Sequence, residues 1–168
     1  MRNLVYLFLA ASLAVFSASC TKSNPERYTV EAAAYCKERH SDSHIELFLI
    51  PNKNNLKDHY GNGEMLPAGW KKLYGYDWFR ITLEAIDQSD DIFNQDYKLI
   101  NCNKTLTEES LRGGYAKVYW NTQKNEFASG GTVKIGTNSI TLLARFPLRG
   151  WLEVKFEGDI VQYDNIED

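Results

Sequence analysis

The stretch SITLLARFPLRGWLEVKFEG, near the C-terminal end, constrains the fold more than any other part of this chain. Ile140, Leu142, Ala144 and Phe146 fall on one side of an extended backbone, and beyond the turn Leu152, Val154 and Phe156 do the same. Successive side chains of a strand point to opposite faces, so alternation with a period of two marks a strand that offers one face to a core. The Pro-Leu-Arg-Gly turn between them makes the two strands antiparallel neighbours.

The same signature recurs upstream. In WFRITLEA, Phe79, Ile81, Leu83 and Ala85 share one face while Arg80, Thr82 and Glu84 share the other. YKLINC sets Tyr97, Leu99 and Asn101 against Lys98, Ile100 and Cys102, and YAKVYW and TVKI read as further strands. YTVEAAAYC alternates loosely, and HIELFLI is a compact apolar run stopped by Pro51. TEESLRGG is the one helical turn expected, with Thr107 as its N-cap and glycine closing it. About eight strands at this spacing predict a single all-β domain, either an antiparallel β-sandwich or a closed, lipocalin-like β-barrel. Residues 51–76 read as a long irregular connection, and such connections often carry function.

The N-terminus has a different character. Arg2 precedes an apolar run over residues 4–16, then the small residues Ser17, Ala18 and Ser19 lead into Cys20. This is the anatomy of an export signal, and the run is too short to span a bilayer. The segment resembles a bacterial lipoprotein leader. The resemblance implies cleavage after residue 19 and a lipid on Cys20, with residues 20–27 as a tether and 28–168 as the folded domain. Plain secretion after an ordinary cut near Cys20 is the main alternative, and an uncleaved anchor the third. A lipid anchor places the protein in the cell envelope, at the outer membrane or cell surface; without it the protein is periplasmic or secreted. FASGGTVKIGTNSITLLARFPLRGWLEVKFEGDI, residues 127–160, is similar to the closing strands of small exported bacterial lipoproteins with a β-sandwich-like domain, a family of unknown function. That similarity implies a fold and an address but no activity.

The formal charge is −3, and loss of Arg2 with the leader makes the remainder one unit more negative. With no basic block, nucleic acid is not an expected partner. The aromatic content of 13% with 24% charged residues fits a folded domain rather than a disordered one. If Cys20 carries lipid, Cys36 and Cys102 remain as a pair in an oxidising compartment. A bridge between them contributes about 4 kcal/mol in the chain-entropy model. Two buried free thiols are the alternative.

Chemistry-bearing clusters are sparse. His40 and His44 flank Asp42 in a turn, and His59 joins them only if the long connection folds back, so solvated histidines are expected rather than zinc ligands. Asp87, Asp90, Asp91 and Asp96 supply oxygen but lack the turn glycine and terminal glutamate of a calcium loop. Glu108 and Glu109 are adjacent, so they point apart, and no nucleophile elbow or phosphate loop is present. No enzyme activity, metal or cofactor is therefore expected. The most distinctive surface candidate is PAGWKKLYGYDW, where Trp70, Tyr74, Tyr76 and Trp78 are interleaved with Lys71, Lys72 and Asp77. Flat aromatic faces beside hydrogen-bonding groups suit a sugar ring or a protein partner, and the same rings also serve as core or lid. The leading expectation is a non-enzymatic binding module held at a membrane by its lipid, taking a glycan or a protein partner through loop 67–78. A structural accessory subunit of a surface assembly and a carrier of a small apolar ligand are the other two readings.

Overall fold

The computed structural model describes residues 24–37, 45–58, 64–65, 71–73, 75–84, 92–101 and 114–162. These form β1 (Glu26–Thr29), β2 (Ala32–Lys37), β3 (Ile45–Ile50), a 3-10 turn (Lys53–Asn55), β4 (Leu56–Asp58), β5 (Glu64–Met65), β6 (Lys71–Leu73) and β7 (Trp78–Glu84). They continue with β8 (Gln95–Leu99), β9 (Tyr115–Asn121), β10 (Glu126–Phe127), β11 (Gly130–Gly136), β12 (Ser139–Phe146), β13 (Gly150–Glu157) and β14 (Ile160–Gln162). The all-β class is as expected, but the strands outnumber the eight foreseen. The expected helical turn over 107–114 lies outside the described residues except for Gly114.

An eleven-stranded sheet, ordered β1-β13-β12-β11-β8-β9-β7-β3-β2-β14 with β10 attached to β9, curls into a half-barrel. Much of the excess in strands comes from interruptions. Val30 and Glu31 divide one extended run into β1 and β2, and Gly158 and Asp159 divide another into β13 and β14. These two runs lie side by side in parallel: Glu26 to Thr29 face Leu152 to Lys155, and Ala33 to Tyr35 face Ile160 to Gln162. The Val30 N–H donates to the Lys155 carbonyl at 3.3 Å and carries the ladder across the gap. Gly158, at φ 148°, takes up the extra residue on its side. Each edge strand is thus continuous in sequence with the strand next to the opposite edge, β1 with β2 and β14 with β13. Pairing is not antiparallel throughout, since β1 with β13, β14 with β2 and β8 with β9 run parallel. Parallel neighbours need a long crossover, and residues 100–114 supply one between β8 and β9.

The concave side holds the main core, which includes Leu47, Leu49, Phe79, Ile81, Val118, Trp120, Val133, Leu142, Phe146 and Val154. Phe79 stacks on Trp120 with ring centroids 5.1 Å apart, and Phe146 meets the Trp120 edge at 5.1 Å. Such rings contribute about 0.5–1.5 kcal/mol per pair beyond the area they bury. Gly131 permits close packing: a β-carbon there would lie 2.0 Å from the Leu143 carbonyl oxygen.

A second core lies on the convex side. Residues 51–76 are not wholly irregular as expected, because β4, β6 and β5 form a separate three-stranded sheet. Strands of two or three residues are too short for a period-two signal to show. Leu73 of β6, with Leu56 beside it, packs on Ala34, Phe48, Ile50 and Trp78, which point outward from the curled sheet. Glu26 and Arg27, foreseen as tether, already belong to β1.

Candidate binding groove

At one end of the curl three loops converge. One is the approach to β7 at residues 75–77, another the β9–β10 turn at 122–125, and the third the β12–β13 turn at 147–149. The pairings put them at the same end. Trp78 opens β7 opposite Asn121, which ends β9, and β12 closes its pairing with β13 at Phe146 and Gly150. Between the loops is a groove of about 590 Å³ lined by Tyr76, Asp77, Thr122, Gln123, Lys124, Glu126, Leu148 and Arg149. That size falls within the range of small-ligand sites.

The loop backbones that carry these side chains are fixed locally. Asp77 adopts φ 69° and donates its backbone N–H to the Asn121 carbonyl at 2.6 Å, which fixes the residue on the groove wall. Asn125 adopts φ 44°, and Thr122 anchors that turn by accepting from the Lys124 N–H at 3.2 Å. Aspartate and asparagine tolerate the left-handed region better than most residues, and backbone strain of this kind gathers at functional sites. Tyr76 stands 60% exposed and Leu148 66% exposed.

Beneath them lies a fixed charged pair. The Glu126 side chain is 5% exposed, and its Oε1 lies 3.8 Å from Arg149 Nε. Its Oε2 accepts from the Leu148 N–H at 3.1 Å. The Arg149 guanidinium lies over Trp120, 4.5 Å from the ring centroid. The groove thus carries two acids, Asp77 and Glu126, and two bases, Lys124 and Arg149. Tyr28 of β1 packs edge-on against Phe79 and Trp120 below the same end. Burial pushes its hydroxyl above the usual tyrosine range, Asp77 and then Glu26 push in the same direction, and Arg149 opposes them. The Trp120 indole N–H, like that of Trp78, is buried without a hydrogen-bond partner among the described residues. Each such donor costs about 1–3 kcal/mol.

The aromatic loop is divided by this arrangement. Tyr76 reaches the groove, whereas Trp78, 1% exposed, belongs to the second core between Phe48 and Tyr119. Its ring therefore does not face a ligand, and it has the core role weighed against binding. Trp70 and Tyr74 lie outside the described residues, as do Cys20, Cys102, His40, His44, His59, Asp87, Asp90 and Asp91. Cys36 sits on β2 opposite Glu46, and no disulfide is seen among the described residues. Asp96 pairs with Lys134 at 3.0 Å on the convex side. Among the described residues no group of three or more His, Cys, Asp or Glu side chains gathers to hold a metal ion. No helix among them is long and apolar enough to cross a membrane.

Sequence reasoning missed Glu126, Arg149 and Tyr28. A buried glutamate inside a hairpin and an arginine in a turn gain meaning only when register brings β9, β12 and β1 to one end. Trp120 lies in YAKVYW, which reads as a strand, but neither its place in the core nor its role as the platform under Arg149 follows from that reading. No family model, curated protein or solved structure matches this chain.

Proposed function

We propose that this chain is a non-enzymatic binding module of the cell envelope, tethered through a lipid on Cys20, and that the end groove beside Tyr76 receives a glycan. The observation that carries this reading is an exposed aromatic ring at the rim of a groove whose polar groups are held in place from beneath. Sugar recognition uses that combination, because a ring face lies on the aromatic while hydroxyls exchange hydrogen bonds with fixed donors and acceptors. The packed concave core favours this site over an internal cavity for an apolar ligand. In this reading the two long parallel runs close the half-barrel into eight staves, so the groove is the mouth of a filled barrel. A protein partner is the second reading, favoured by the exposed Leu148 on the same rim.

Glycan-array screening of the purified protein, followed by titration of the hits, tests the proposal. Tyr76→Ala is expected to weaken a hit at least about tenfold, the effect of losing roughly 1.4 kcal/mol of contact, with an unchanged melting temperature. Undiminished binding in that variant would sink the groove reading. Intact mass with and without reductant and alkylation tests the rest. A chain starting at Cys20 with a diacylglyceryl adduct and two thiols released only by reduction supports the tether and the Cys36–Cys102 bridge.

A further inference from the structure

We propose that Arg149 makes the groove selective for carboxylated sugars, an inference that rests on the glycan reading above and names the class of sugar. The guanidinium is restrained on two sides, lying over the Trp120 ring 4.5 Å from its centroid and having Nε 3.8 Å from the buried Glu126 carboxylate. Its two terminal nitrogens donate no hydrogen bond among the described residues. A planar fork held from below and along one edge presents its remaining N–H groups as a pair. That pair matches the two oxygens of a carboxylate. Because Trp120 and Glu126 already restrict the side chain, little rotamer freedom is lost when a ligand arrives.

The neighbouring groups narrow the ligand further. Lys124 lines the same groove and makes no ion pair among the described residues, so a second cation faces an incoming anion. Asp77, on the opposite loop, accepts but cannot donate when ionised. Whatever faces it must bring hydroxyl or amine donors. A uronic-acid ring carries both requirements on one scaffold, an acceptor carboxylate on one carbon and donor hydroxyls on the others. Its flat C–H face is suited to the exposed Tyr76 ring. A fully neutral sugar offers the outer N–H groups of Arg149 no anionic acceptor, and a simple inorganic anion leaves Asp77 and Tyr76 unused.

The test is a calorimetric comparison of uronic-acid oligosaccharides with their own methyl esters, which retain every ring hydroxyl and lose only the charge. The wild-type protein is expected to bind at least one acid about tenfold or more tightly than its ester, with the preference shrinking as NaCl is raised. Arg149→Gln is expected to bring acid and ester to near parity. Arg149→Lys, which keeps the charge opposite Glu126 and guards against misfolding of the first variant, is expected to leave an intermediate preference. Equal binding of acid and ester by the wild type overturns the proposal, as does a full preference in either variant. Binding of neutral glycans without an acid preference overturns the carboxylate assignment and leaves the groove reading standing. No binding of any oligosaccharide overturns both.

Discussion

Strand β12 alternates between buried and more open side chains along its whole length, whereas β3 buries nearly every residue on both faces. Both belong to the same sheet, and their concave sides enter the same core through Leu142 and Leu47. The convex sides differ. Beyond β12 lie Thr141 and Arg145, and across from Arg145 stands Trp151, 42% exposed. Behind β3, Phe48 and Ile50 are covered by the small sheet at Leu73 and Leu56. Alternation thus counts covered faces: a strand with one wet face reads as period two, and a strand covered twice reads as a solid apolar run.

The largest test of that difference compares two outward aromatic residues. Phe48→Ala should cost about 3–5 kcal/mol, as expected for a large buried ring, whereas Trp151→Ala should change stability by less than about 1 kcal/mol. Urea unfolding of both variants measures it. A cost below about 1 kcal/mol for Phe48→Ala would mean that the small sheet does not cover the convex side.

The same contrast explains how much of the molecule was legible. The hairpins from Gly130 to Glu157 could be read strand by strand, since each buries one face and is joined by a short turn. HIELFLI was recognisable as a strand, but its run of apolar residues gave no hint that a second layer covers it. That layer comes from β4 to β6, whose pairing of Leu56 with Leu73 is set by tertiary contact rather than by local pattern. The junction of residues 26–37 with 150–162 was hidden because it joins the two ends of the chain. Of the groove, Tyr76 was legible as an aromatic residue in a glycine-containing loop. Trp78 opens the strand and carried a core reading beside the binding one, and Asp77 at φ 69° breaks the extended backbone between the two rings, so alternation does not relate their faces. Glu126 and Arg149 are 23 residues apart and meet only because two hairpin turns share an end.

An intermediate effect distinguishes the groove from the open convex side. Glu126→Gln keeps an acceptor for the Leu148 N–H but removes the charge beside Arg149, whose side chain is 46% exposed. The expected loss is about 1 kcal/mol, well short of a fully buried pair because water screens the arginine. Lys134→Gln breaks the Asp96 pair, exposed on both partners, and should stay within about 0.5 kcal/mol. Equal losses in the two variants, measured by urea midpoint, would remove the distinction between the groove pair and a surface pair.

The smallest effect separates Tyr28 from tyrosines in open surroundings and is seen only at high pH. Its hydroxyl pKa is raised in the folded protein, first by burial and then by Asp77, with Arg149 opposing. Below about pH 10, the ordinary tyrosine value, folded and unfolded chains both hold the proton, so the group adds no pH dependence. As pH rises through that value the unfolded chain releases its proton first and binds fewer protons than the native chain. The slope of unfolding free energy with pH is then negative, and stability falls until the folded hydroxyl also titrates. Tyr28→Phe removes this contribution, so as pH rises above about 10 the wild type should lose slightly more stability than the variant, while the two run parallel at lower pH. Parallel curves across the whole range would show that neither burial nor Asp77 raises the Tyr28 hydroxyl above its ordinary value. A steeper fall in the variant would reverse the sign and assign the dominant influence on that hydroxyl to Arg149.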